Sequence, residues 1–525
     1  MYVPLLVHDF LRRAVDVYPD KTAIVDGPLR FTYRDLQLRV NRLANALRTL
    51  GIGKGDRVCI LSPNSHFFLE SFYATSQIGA VLVPLNYRLV AADHEYILNH
   101  AGVRAVLVDA EYTDIVDSIR ATLHTVEHWI VAQEGSGAPQ GWTSWEMLLA
   151  DADATPPPPV DLDENDLVSI NYTSGTTARP KGVMLTHRNC YLNAYNMIVH
   201  LGIRHDDVEL WTLPMFHCNG WGGVYALTGV AGTHVILRAI DAERIHALIA
   251  AEGVTFACMA PAVLRAILDY PDRAKHDIRT KPRFTVAGAP PPAAFIERLE
   301  RDLGWSFLEI YGLTETAPLL TVNHPDFNTA DDAWSQRARA GVPGIGVQLR
   351  VVDAEDNPVP KDDTTVGEIV ARSNVVFAGY WEQPTETAAA IRDGWFHTGD
   401  LGVWDAHGSI HIVDRKKDVI ISGGENISSP EIEDALYRHP AVEECAVIGV
   451  PDAKWGETPK ALVVLRRNAA ATEAELIEFC RAHLAHFKCP TSIELVAELP
   501  RTATGKLQKF KLREQYWGGH GRRVN

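Results

Sequence analysis

The run Arg57-Val-Cys-Ile-Leu61, a helical stretch over 66–79, then Ala80-Val-Leu-Val-Pro84 and Arg104-Ala-Val-Leu-Val-Asp109 decide the fold class. Short β-branched runs alternating with helical stretches imply a layered α/β architecture with substantially parallel sheets. Upstream, residues 31–50 read as a helix. Thr32 and Asp35 have capping-box spacing, Leu36, Val40, Leu43 and Leu47 recur on one face, and Gly51 stops it. Downstream the alternation continues through His234-Val-Ile-Leu237 and Val254-Thr-Phe-Ala257. In such folds ligands sit at the carboxyl ends of strands, so the loops just after strands are where chemistry is expected.

With 525 residues the chain is too long for one compact core, so two or more domains are expected. Thr155-Pro-Pro-Pro-Pro159, followed by acidic residues, reads as a stiff surface linker. A second break falls at Asp414-Arg-Lys-Lys-Asp418. Beyond it Ala446-Val-Ile-Gly-Val450 and Ala461-Leu-Val-Val-Leu465 alternate with helical runs, enough for a separate α+β domain of about a hundred residues.

A net charge of −16 argues against a nucleic-acid surface, because phosphate binding needs concentrated Lys and Arg. The seven cysteines are odd in number, scattered and free of any CxxC pair, the pattern of buried thiols in a reducing cytosol rather than a zinc or disulfide framework. The N-terminus MYVPLLVHDFLRRA lacks a basic leader, apolar stretch and cleavage site, and no apolar run approaches the roughly 20 residues of a membrane span. The expectation is a cytoplasmic protein without nucleic-acid partner or membrane span.

Tyr172-Thr-Ser-Gly-Thr-Thr-Ala-Arg-Pro-Lys-Gly-Val183 follows the strand-like Leu167-Val-Ser-Ile170. Hydroxyls, glycines and a lysine concentrated in a post-strand loop can offer backbone N–H groups, side-chain donors and positive charge to a polyphosphate. It is no Walker A loop, since Pro180 stands where that loop needs its second glycine.

This loop resembles the phosphate-binding signature of the adenylate-forming superfamily, which includes acyl-CoA synthetases, peptide-synthetase adenylation domains and firefly-type luciferases. Further signatures follow in the same order: Met215-Phe-His217, Ala287-Gly-Ala-Pro290, Tyr311-Gly-Leu-Thr-Glu-Thr316, Trp395-Phe-His-Thr-Gly-Asp400, Asp414-Arg-Lys-Lys-Asp418, Ser422-Gly-Gly-Glu-Asn426 and Pro500-Arg-Thr-Ala-Thr-Gly-Lys506. The resemblance implies a large multi-subdomain N-terminal domain over 1–414, holding ATP and acid, and a small mobile α+β lid over 415–525. The lid would hinge near Lys417. The implied reaction joins a carboxylic acid to ATP as acyl-AMP, releases pyrophosphate, and passes the acyl group to the thiol of coenzyme A.

Attack of a carboxylate on the α-phosphate brings two anions together, which requires a cation and pre-placed positive side chains. Glu315, flanked by Thr314 and Thr316, suits Mg²⁺, with Thr173 added by the resemblance, because Mg²⁺ favours few carboxylates plus phosphate oxygens. The resemblance assigns ATP and AMP binding to Thr173, Ser174, Gly175, Thr176, Thr177, Lys181, Gly288, Ala289, Pro290, Tyr311, Gly312, Thr314, Glu315, Asp400, Arg415 and Lys506. Within that set Tyr311 stacks on adenine, Asp400 binds the ribose hydroxyls and Arg415 supports ribose or phosphate. Lys506, His217 and Arg415 are the catalytic candidates. Ser422, Gly423 and Gly424 would present backbone to the pantetheine arm, where a side chain would block approach.

Leu213-Pro-Met-Phe-His-Cys-Asn-Gly-Trp-Gly-Gly223 should line the acid pocket, with His217, Trp221 and Gly222, together with Gly288 and Gly312, as acid-binding candidates. Trp221 stands where long-chain fatty acyl-CoA synthetases carry a gating tryptophan, and Gly220, Gly222 and Gly223 should leave volume for a chain. The segment has no lysine or aspartate to answer an amino-acid charge, so an apolar acid fits, as in medium- and long-chain fatty acid–CoA ligases. The alternatives are an acid–acyl-carrier-protein ligase and a CoA ligase for an aryl or short sulfur-containing acid. A second copy of the chain, as a homodimer, remains an open partner. Ala178 and Ala287 depart from the usual glycines of their motifs. Alanine costs about 1 kcal/mol if position 178 needs positive φ, and Ala287 would narrow the pocket floor.

Overall fold

Val58 and Ile60 turn to one face of their strand and Cys59 and Leu61 to the other. Phe256 and Cys258 likewise oppose Ala257 and Met259. Both strands are apolar on both faces because each sheet is covered twice, which follows from their period of two. The computed structural model describes residues 1–525 except Glu134, Ser136, 174–178, 287–292, 324–332, Lys417, Gly423, Gly424, Ala453, 502–506 and 518–525, and leaves aside the side chains of Ala333, Ser335, Glu425 and Asn426.

One eight-stranded sheet runs in the order Gly379–Tyr380, Lys181–Thr186, Leu167–Thr173, Val81–Leu85, Arg57–Leu61, Val103–Asp109, His128–Ala132, Thr143–Ser144. It is parallel from Leu167–Thr173 onward. A nine-stranded sheet is parallel from Ser306–Gly312 through Arg283–Val286, Phe256–Met259, Val208–Trp211 and Thr233–Ile236 to Thr22–Asp26. Antiparallel strands close its two edges. The helices His8–Val17, Tyr33–Thr49, His66–Gln77, His187–Leu201 and Gly223–Gly229 share one core with the inner faces of both sheets. His66–Ser76 is buried on every side, as a helix between two sheets must be. Further helices cover the outer faces.

The expected helix over 31–50 forms as Tyr33–Thr49. Thr32 Oγ1 accepts from Asp35 N at 3.1 Å and Asp35 Oδ2 from Thr32 N at 2.9 Å, a box whose loss costs about 1 kcal/mol. The expected strands form with ends shifted by one or two residues, as Val81–Leu85, Val103–Asp109, Thr233–Ile236 and Phe256–Met259. Pairing partners, rather than local composition, set where each strand stops.

An antiparallel sheet built from Val347–Val352, Gly367–Ser373, Trp395–Trp404, Ile391–Arg392 and Ile410–Arg415 completes the larger domain. Asp414 and Arg415 still belong to its last strand, so the chain leaves this sheet only after Arg415. The smaller domain is α+β, with Val442–Asp452 and Gly456–Leu465 paired over their length and the helices Ser429–Tyr437, Glu473–His483 and Lys509–Trp517 against them. The two domains touch where Arg265 donates to Glu443 O at 2.7 Å and to Glu444 Oε1 at 2.9 Å. The seven cysteines are buried and none is in a disulfide. Among the described residues no helix is long and apolar enough to cross a membrane.

Candidate active site

Four strands of the larger domain deliver the recognised motifs from their carboxyl ends, as parallel sheets do with their ligands. Leu167–Thr173 ends on Thr173, Val208–Trp211 leads to His217, Arg283–Val286 leads to the 287–290 motif, and Ser306–Gly312 carries Tyr311 and Gly312. Thr173 stands opposite Lys181 in the hairpin that encloses residues 174–178. Ser174, Gly175, Thr176, Thr177 and Ala178, together with Ala287, Gly288, Ala289 and Pro290, lie outside the described residues, as do Lys417, Gly423, Gly424 and Lys506.

Tyr311 and Asp400 come together across two sheets. Tyr311 is buried and its hydroxyl donates to Asp400 Oδ2 at 2.8 Å. Arg415, opposite Asp400 in the antiparallel register, places Nε 3.1 Å from Oδ1. Both oxygens of this buried carboxylate are therefore engaged. Burial, and then the Asp400 charge, push the Tyr311 phenol well above its ordinary value, so it stays a donor. The Asp400 charge in turn strengthens the protonated guanidinium of Arg415, whose side chain is nearly half exposed.

A second group lies beside it. Tyr380 donates to Glu315 Oε1 at 2.9 Å, and the backbone N–H of Phe377 donates to Glu315 O at 2.8 Å. Lys181 stands over the Tyr380 ring, 5.0 Å from its centroid, and is paired with Glu386. Burial and the Glu315 charge raise the Tyr380 phenol as well. Sequence reasoning missed Tyr380 and Glu386. No local signal marks them, because Tyr380 reaches its partner through strand pairing with Lys181–Thr186. Thr314 is buried, and Gly312 can be nothing else, since an added Cβ would fall 1.6 Å from Pro318 O. One carboxylate and one hydroxyl, Glu315 and Thr173, are the sparse donor set that Mg²⁺ takes when phosphate oxygens and water complete its shell. These residues fit the ion, which would supply charge neutralisation to phosphates held there.

His217 opens a left-handed turn. Cys218, Asn219, Gly220, Trp221 and Gly222 have φ of +48°, +53°, +58°, +56° and +78°. Trp221 N donates to His217 O at 3.3 Å and Gly222 N to Cys218 O at 3.2 Å. Consecutive left-handed residues are rare, and each non-glycine costs roughly 1–2 kcal/mol, with Asn the most tolerant. Cys218 and Trp221 carry that strain, so packing must over-determine the turn. Asn193 Nδ2 donates to Trp221 O at 3.3 Å, and Ser169, Asn171 and Asn219 bond to one another behind it. The Asn219-Gly220 pair is a local turn signal.

The turn corrects one expectation. Gly220, Gly222 and Gly223 do not leave volume for a chain. A Cβ at Gly220 would lie 2.4 Å from the Trp211 ring, at Gly222 2.2 Å from Asn193 Nδ2, and at Gly223 3.3 Å from Trp211. These glycines permit close approach and, at 220 and 222, the left-handed backbone. Trp221 is 5% exposed and packs within the main core. Ser422 ends the strand Ile420–Ser422 in the smaller domain, opposite Glu425 and Gly456.

The family model for the AMP-binding enzyme matches residues 11–381, and the model for the AMP-binding enzyme C-terminal domain matches 431–506. The chain belongs to the AMP-binding enzyme family. This AMP-binding enzyme is 37% identical to a 4-hydroxybutyrate–CoA ligase of Metallosphaera sedula, covering 98% of the chain and 94% of the relative. It is 38% identical to a long-chain-fatty-acid–CoA ligase of Thermus thermophilus, covering 98% and 96%. Its fold superposes on the anthranilate CoA ligase AuaEII in complex with anthranoyl-AMP with a TM-score of 0.91 at 29% identity, covering 98% of each chain.

Proposed function

We propose that this AMP-binding enzyme is an ATP-dependent acid–CoA ligase. It forms an acyl-AMP from a carboxylic acid, with release of pyrophosphate, and transfers the acyl group to the thiol of coenzyme A. The observation that carries this reading is the joining of Tyr311, Asp400 and Arg415 with one another, and of Glu315 and Lys181 through Tyr380, on strands that include the hairpin of Thr173. Asp400 takes the ribose hydroxyls, Tyr311 lies against adenine, Thr173 and Glu315 hold Mg²⁺, and Arg415 and Lys181 face phosphate. His217 stands at the acid. Lys506 supplies positive charge at the α-phosphate during adenylation. The segment beyond Lys417 then turns about that residue, bringing Ser422, Gly423 and Gly424 to the pantetheine arm.

The acid is apolar, and a fatty acid is the first reading. An aryl or short acid, including a short sulfur-containing one, is the second. It is favoured by the filled space beside Gly220, Gly222 and Gly223 and by the buried Trp211 and Trp221. The relatives' names span both classes.

The test is acid-dependent ATP–pyrophosphate exchange over a panel from acetate to palmitate with benzoate and anthranilate, followed by AMP release with coenzyme A or with an acyl-carrier protein. Exchange with a subset of acids and AMP release dependent on coenzyme A support the reading. Release with carrier protein alone moves the acceptor, and no exchange with any acid sinks the ligase. Lys506→Ala should lower acyl-AMP formation by roughly 10²–10³, the effect of one preorganised charge, and spare thioester formation from supplied acyl-AMP.

A further inference from the structure

Behind the left-handed turn lies a closed ring of neutral groups that the proposed chemistry does not use. Ser169 Oγ donates to Asn171 Oδ1 at 2.8 Å, Asn171 Nδ2 to Asn219 Oδ1 at 3.0 Å, and Asn219 Nδ2 back to Ser169 Oγ at 2.9 Å. All three side chains are buried. Each gives and takes one bond within the ring, so no buried polar atom is stranded at these positions and nothing in the ring titrates.

The placement of the ring matters more than its bonds. Ser169 and Asn171 belong to the strand that ends on Thr173, next to the 174–178 motif in sequence, whereas Asn219 is two residues past His217. The ring therefore ties the acid side of the site to the strand on its phosphate side. Asn193 braces the same turn from the other side. Its Nδ2 donates to Trp221 O at 3.3 Å, and its Oδ1 accepts from Leu319 N at 3.1 Å, just past Thr314–Thr316. Asparagine at 219 meets two demands at once. It tolerates φ of +53°, and its carboxamide can both give and accept.

We propose that the Ser169–Asn171–Asn219 ring is a positioning device. It fixes the His217–Trp221 backbone relative to the phosphate-loop strand, so that the acid carboxylate meets the α-phosphate in line. This rests on the acid–CoA ligase reading above. Its consequence is specific. Loosening the ring displaces the acid and leaves the nucleotide groups, which hang on Tyr311, Asp400, Glu315 and Tyr380, where they are.

The experiment uses the full chain and two variants. Asn219→Gly keeps the left-handed backbone open while deleting the carboxamide, and Ser169→Ala breaks the same ring from the strand without touching the turn. Acid-dependent ATP–pyrophosphate exchange is measured with the best acid of the panel, separating kcat and KM for acid from KM for ATP. Melting temperature with and without ATP is followed alongside. A small misplacement of reacting groups costs up to about 10²-fold, so kcat/KM for acid should fall about 10- to 100-fold in both variants. KM for ATP should stay within about twofold, with an unchanged ATP-induced shift in melting temperature. Unchanged acid kinetics overturn the proposal. So does an equal loss for acid and ATP together with a lowered melting temperature, which marks the ring as packing alone, or a loss confined to ATP. If Asn219→Gly does not fold, Ser169→Ala decides by the same criteria. If the wild-type chain exchanges with no acid, the ligase reading fails first and the ring's role falls with it.

Discussion

Around Cys218–Gly222 the chain keeps its shape with uncharged groups. Asparagine amides, a serine hydroxyl and backbone bonds hold a strained turn deep in the core. Around Asp400 and Glu315 the held quantity is charge. Arg415 faces Asp400, Lys181 faces Glu386, and tyrosine hydroxyls occupy the carboxylates from the core side. Neutral buried bonds rigidify, because leaving one unmade costs about 1–3 kcal/mol. Each ion pair here has one half-exposed member, Arg415 or Glu386, beside a more buried partner, so the pair meets solvent on one side only. One region stores geometry, and the other keeps charge ready for a ligand.

The largest expected effect tests the first half of that contrast. Trp221→Ala should lower the free energy of unfolding by about 3–5 kcal/mol, the cost of truncating a buried tryptophan, and reduce activity on every acid alike. Denaturant titration and kcat/KM across the acid panel check it. A shift in chain-length preference at unchanged stability would return Trp221 to the gating role expected from its sequence position.

Asp400→Asn tests the second half. It keeps the size of the side chain, removes the charge facing Arg415, and should weaken ATP binding about 10- to 100-fold, the worth of hydrogen bonds to a charged group. Calorimetric titration with ATP gives the number, and a dissociation constant within error of wild type would break the contrast.

A pair of glycines sharpens it further. Gly222 and Gly399 have similar φ, +78° and +72°, but a Cβ at 222 meets Asn193 Nδ2 at 2.2 Å while one at 399 meets nothing within 4 Å. Gly399→Ala should cost about 1 kcal/mol for backbone conformation alone, and Gly222→Ala about 1–3 kcal/mol more for the collision. Equal shifts in melting temperature would mean that the turn yields as easily as the open backbone at Gly399.

A further test concerns pH. Glu209, buried below the turn with its Oε1 3.5 Å from the Cβ position of Gly223, has its carboxyl pushed up to about 8, chiefly by burial. The folded chain then holds a proton that the unfolded chain releases, so this group's stability contribution declines as pH rises from about 4.5 through about 8. Glu209→Gln should remove a slope of up to about 1.4 kcal/mol per pH unit from the stability profile in that window. An unaltered slope between the two proteins would exclude Glu209 as its source.

The layered α/β class, the Tyr33–Thr49 helix with its box and the strand-end location of the site are legible in the sequence because they rest on short-range periodicity and caps. The ordered motifs likewise identify Tyr311, Glu315, Asp400 and Arg415 before any contact is known. The volume expected beside Gly220, Gly222 and Gly223 fails for a physical reason. A glycine announces freedom of its own backbone, not what its neighbours do with the space, and Trp211 and Asn193 take it.

By itself the sequence determined the element types, the family and most of the chemical groups, since each is written in local pattern or motif. Only the tertiary structure decided that a run containing Cys, Asn and Trp turns left-handed, that Tyr380 meets Glu315 across 65 residues, and that Tyr311 meets Asp400 across 89. Those choices belong to partners distant in the chain. Left-handed backbone at Cys218 and Trp221 is unfavourable in isolation and persists because Asn193 and the Ser169–Asn171–Asn219 ring hold it, through contacts that exist only once the two sheets have closed over their shared helices.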